Sequence, residues 1–161
     1  MQTFSTMRRN STNQKNIKYF FLVVALIVYV ALTDIFYFLP PLLGVMYVLA
    51  QENYEEHSVE VFYFLVPFFL YFEASKGLPF LSLILFMAVS FEVVLPKFRK
   101  FFGSSKIFIP LFIVYAYLGY FAFLEIFGLF LEVDMPQISW LMGWYIACEI
   151  ILVWFFMWIL L

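Results

Sequence analysis

Residues 70–106 read LYFEASKGLPFLSLILFMAVSFEVVLPKFRKFFGSSK. Three features follow one another there. A polar break, Glu73 to Gly77, leads into an apolar run, Leu78 to Leu95. A basic loop then carries Lys97, Arg99, Lys100 and Lys106. The apolar run has the length of a membrane span, and Pro96 is expected to end its helix. Because basic residues stay on the cytoplasmic side of a membrane, this loop orients every other apolar segment.

The rest of the chain is just as apolar. Of 161 residues, 66% are hydrophobic, 24% aromatic and only 12% charged. A soluble domain is roughly half apolar and about a quarter charged. A globule of this size has too little interior to hide 24 phenylalanines. The composition therefore implies an integral membrane protein. The net charge of −2 does not suggest a nucleic-acid partner. Cys148 is the one cysteine; it cannot form an intramolecular disulfide, and it reads as a packing residue.

Six helices are expected, forming an all-α transmembrane bundle. Met1 to Asn16 is polar and basic and reads as a flexible cytoplasmic tail. Residues 17–161 form a single transmembrane domain. Arg8, Arg9, Lys15 and Lys18 before an apolar run resemble a secretory signal, but no small-residue cleavage site follows, so the run reads as a retained span. Helix one is placed at Ile17 to Leu32 and helix two at about Phe36 to Ala50, with Thr33-Asp34 and Pro40-Pro41 nearby; one long kinked helix is the alternative. Gln51 to Glu60 is acidic and expected in water. Helix three covers Val59 to Phe72 with Pro67 inside it, and helix four Leu78 to Leu95. Helix five covers Ile107 to Leu131 and helix six Ile138 to Leu161, separated by an acidic turn at Glu132 to Gln137.

All basic residues except Lys76 lie near the N-terminus (Arg8, Arg9, Lys15 and Lys18) or in the loop Lys97 to Lys106. Both clusters belong inside, so an even number of spans separates them. That count requires Phe36 to Ala50 to cross. Six spans with both termini cytoplasmic follow, and Trp140, Trp154 and Trp158 fit aromatic belts.

Glu125 and Glu149 lie within apolar runs, where a carboxylate costs about 2.5–3.5 kcal/mol on insertion scales. No cation within helices three to six is placed to pair with them. They are expected to pack and hydrogen-bond between helices, or to line a pocket for a ligand or ion. Both carboxylates facing one cavity of about 300 Å³ or more would favour the ligand reading. Ser139, Gly143 and Ala147 form a stripe of small residues that lets helices approach closely. Glu92 is expected to reach the interface or the basic loop. His57, beside Glu55 and Glu56, lacks the companions that a zinc site needs. The basic loop suits anionic lipid headgroups at about 1 kcal/mol per residue. No phosphate loop, HExxH, CxxC or nucleophile elbow occurs, so neither an enzyme nor a cofactor is expected.

Glu73-Ala74-Ser75-Lys76-Gly77-Leu78-Pro79-Phe80, followed by the apolar run and Lys97-Phe98-Arg99-Lys100, resembles the MreD family of bacterial rod-shape membrane proteins. In that family an acidic residue ends one span, a short Ser/Gly turn follows, and a basic loop closes the next. The resemblance implies a non-catalytic inner-membrane scaffold of the cell-wall elongation complex. Its partners would be membrane lipids, an MreC-type protein, the MreB filament and a SEDS glycosyltransferase with its transpeptidase. The implied fold is similar to the six-helix substrate-binding subunits of energy-coupling-factor transporters. A small-molecule binding or transport subunit is the rival expectation.

Overall fold

The computed structural model describes residues 4–55, 62–102, 108–131 and 139–160, and among them it is all-helical. Six helices follow in order: α1 (Phe4–Ile35), α2 (Leu43–Glu55), α3 (Phe62–Lys76), α4 (82–102), α5 (Ile109–Leu131) and α6 (Trp140–Leu160). Of these, Ile109–Phe130 is long and apolar enough to cross a membrane; Phe20–Ile35 and Trp140–Phe155 are shorter apolar helices.

Helix α1 starts at Phe4, so the segment read as a tail extends the first helix. The long-kinked-helix alternative fails, because residues 36–42 are not helical. Proline lacks an amide proton and pushes its predecessor out of the α region. Pro40 and Pro41 therefore delay α2 until Leu43, and α2 runs on to Glu55. Gln51 and Asn53, expected in water, are buried on α2 instead. His57 lies outside the described residues, as do Lys106 and the acidic turn 132–137.

Pro96 does not end the fourth helix. Helix α4 is α-helical over Ser82–Val89, widens to a π-helical turn over Ser90–Val94, and is α-helical again over Leu95–Phe102. In a regular helix Pro96 would clash with the carbonyl one turn earlier. The wide turn changes that partnering: the Leu95 amide donates to the carbonyl of Ser90, five residues back. Lys97, Arg99 and Lys100 consequently sit on helix, not on a loop.

Successive helices run in opposite directions, and an ion pair marks each end. Lys76 meets Asp34 at 2.5 Å where α1 and α3 finish, and Arg99 meets Glu55 where α2 and α4 finish. Helix α2 packs against α5, α3 and α6, and α1 packs against α3. Fully buried Tyr47, Leu65, Phe68, Leu83 and Ile113 form the core. Aromatic rings fill much of it: Tyr47 lies 5.5 Å from Phe91, and Phe86 lies 5.8 Å from Tyr115. Such pairs add about 0.5–1.5 kcal/mol each beyond area burial.

Candidate functional site: two buried carboxylates beneath a cavity

The turn after α3 is built around Glu73. Gly77 takes a left-handed conformation (φ 65°) and the Leu78 amide returns to the Glu73 carbonyl at 2.9 Å, closing the helix end. Ser75 Oγ donates to the Phe72 carbonyl at 3.0 Å. The Glu73 side chain, fully buried, then reaches forward to the start of α4. Its Oε2 accepts from the Leu81 amide at 2.7 Å. Its Oε1 accepts from the Leu83 amide at 2.5 Å and from Ser82 Oγ at 3.1 Å. The first amides of a helix have no partner within it and carry partial positive charge. Glu73 supplies the missing acceptor. Ser82 has one hydroxyl proton, given to Glu73, so Tyr120 donates to Ser82 Oγ across their 2.8 Å contact.

Glu149 does the same for α2 from the far end of the chain. It is fully buried on α6. Oε2 accepts from the Val45 amide at 3.0 Å and Oε1 from the Tyr117 hydroxyl. Gly44 is required by space: a Cβ there would lie 2.6 Å from Ile113 Cγ2 and 2.8 Å from Glu149 Oε2. Both capped helices are entered through a leucine with positive φ, Leu42 at 61° and Leu81 at 66°. That conformation is costly for a side chain with a Cβ. Tyr117 and Tyr120 stand about one turn apart on α5 and tie the two carboxylate sites to the same helix.

Above these starts, toward the Lys76–Asp34 end, lies a cavity of about 380 Å³. Leu43, Phe72, Tyr117, Tyr120, Leu124 and Met142 wall it, with Lys76 and Ser139 at its rim. Neither buried carboxylate is among its lining residues. A smaller cavity of about 250 Å³ lies between α2, α3 and α4, lined by Tyr54, Phe69, Met87 and Glu92 among others.

Glu125 and Glu149 do not share a cavity, the arrangement that would have favoured the ligand reading. Glu125 is exposed on the outside of α5, whereas Glu149 is consumed by α2 and Tyr117. Ser139, Gly143 and Ala147 are all exposed, with open space where a Gly143 side chain would stand. The stripe therefore faces outward instead of seating a helix of the same chain. Lys97 and Lys100 are exposed at the end of α4, and Arg99 reaches Glu55. Cys148 is half-buried. Gly44, Ser82, Tyr117 and Tyr120 were not anticipated. The visible trace was a Tyr-x-x-Tyr spacing within the apolar run of α5. No family model matches the chain, and neither curated proteins nor solved structures provide a match.

Proposed function

We propose that the chain is a non-catalytic, multi-pass scaffold of the bacterial inner membrane, serving the rod-shape cell-wall elongation complex as an MreD-like subunit. One observation carries the reading. The two buried carboxylates are spent on holding helix starts, and the outward surface left over is largely hydrocarbon, with Glu125 as the exception on α5. Leu129 and Phe130 are each 82% exposed and Trp140 is 80% exposed. A soluble protein rarely leaves such a surface uncovered; lipid and partner helices would cover it.

The bundle is consistent with six crossings. The start of α1 and the cationic end of α4 point the same way, as the positive-inside rule asks. At 1.5 Å per residue α2 is only about 20 Å long, short of the roughly 30 Å hydrocarbon layer. The non-helical segment 36–42 would complete its crossing. Phe36, Tyr37 and Phe38 have exposed side chains, so irregular backbone at that depth needs its polar groups satisfied from within the chain. Here the Pro40 carbonyl accepts from Tyr29 at 2.7 Å and the Phe38 carbonyl from Trp144 at 3.0 Å. The segment that resembles MreD, Glu73 to Phe80, belongs to the turn closed by Glu73.

Depletion in the native bacterium tests the proposal. Rounded cells and co-purification with an MreC-type membrane protein are expected. Normal shape with a nutrient-uptake defect would replace it with the transport reading.

A further inference from the structure

We infer that the cavity at the Lys76–Asp34 end is a binding site for a compact, uncharged aromatic molecule of about two fused rings. The inference stands on the cavity alone and does not depend on the rod-shape reading.

Size sets the first limit. An apolar cavity of about 150 Å³ stays dry and accepts benzene; this one measures about 380 Å³, within the usual range for small-molecule sites. The walls set the second. Phe72, Tyr117, Phe121 and Tyr120 present ring surface, and Leu43 and Leu124 complete the apolar lining of what is an open-sided cavity. Rings pack on such walls edge-on or offset.

The third limit excludes charge. Helix N-termini attract anions, but the two beneath this cavity already hold Glu73 and Glu149. Apart from Ser139 at the rim, the hydroxyl protons that face it are committed too. Tyr117 donates to Glu149, Tyr120 to Ser82, Thr33 to the Val30 carbonyl at 2.7 Å, and Tyr145 to the Tyr37 carbonyl. Lys76 at the rim is neutralised by Asp34. An anion would find an open side-chain donor only at the rim, on Ser139. A cation would find both carboxylates already engaged by two or more donors. An unpaired charge taken from water into such a space is strongly disfavoured.

Crystals of the full chain soaked with 1-bromonaphthalene test this by the anomalous signal of bromine. A peak inside the cavity is expected. Parallel soaks with 4-bromo-1-naphthoate and a bromonaphthylmethylammonium salt are expected to show none there. Leu124→Trp, which fills the cavity, should abolish the peak; Phe121→Trp serves if that variant does not fold. Leu118→Trp, on the exposed side of the same helix, should leave it. No bromonaphthalene peak in the cavity would overturn the inference. So would a peak from either charged analogue, a peak indifferent to filling, or a lipid or detergent chain in its place.

Discussion

Two helices start inside this molecule, and they are held by the same device assembled at different ranges. At α4 the capping carboxylate comes from the turn just before it: Glu73 serves Leu81, Ser82 and Leu83, eight to ten residues on. At α2 it comes from the last helix, 104 residues away from Val45. The first is a local unit that closes as soon as its turn forms. The second exists only when α6 has docked on α2 and α5. The α4 start is therefore a property of a short stretch of chain, and the α2 start is a property of the finished bundle.

Breaking each cap separates the two. Glu73→Ala strips an acceptor from two amides and a hydroxyl. With about 1–3 kcal/mol for each buried group left unpaired, a loss of about 3 kcal/mol or more is expected. A thermal midpoint about 6 °C lower or more, measured on the detergent-purified protein, would register it. Glu149→Ala leaves the Val45 amide and the Tyr117 hydroxyl unpaired, and about 2–3 kcal/mol is expected in the same assay. In addition, proteolysis of α2 should rise more than proteolysis of α4. Equal loss at both helices would contradict the local-versus-assembled distinction.

Smaller changes sharpen it. Gly44→Ala forces a methyl against Ile113 and Glu149, and overpacking of this kind costs about 1–3 kcal/mol. Its effect should again centre on α2. Lys76→Ala removes a partly exposed ion pair with Asp34, which is worth at most about 1 kcal/mol. Its midpoint should move least of the four.

The same distinction governs what could be read from the chain. The alternation of apolar runs with polar breaks located most helices, because burying backbone and side chains in an apolar setting leaves few other solutions. Glu73, Ser75 and Gly77 stood out because their partners lie within ten residues. Glu149 was visible as an anomaly, a carboxylate in an apolar run, but its partners on α2 and α5 become neighbours only through tertiary packing. Glu125 looked identical in sequence and lies on the outside of α5, since hydropathy does not say which side of an apolar helix faces in. Pro96 was read as a stop because the local rule is sound for a regular helix; a wide turn upstream changes the premise. Gly44 carries meaning only once Ile113 is set against it.

That wide turn at Ser90–Val94 has a steering consequence. Each residue in an α-helix advances the azimuth by about 100°, so one extra residue in a turn rotates everything after it by that amount. Arg99 points at Glu55 in this rotated setting. Closing that turn to a regular α-helix with every residue kept would swing the guanidinium roughly a quarter of the way round the helix. The bulge thus acts as an angular offset that aims the positive tip of α4.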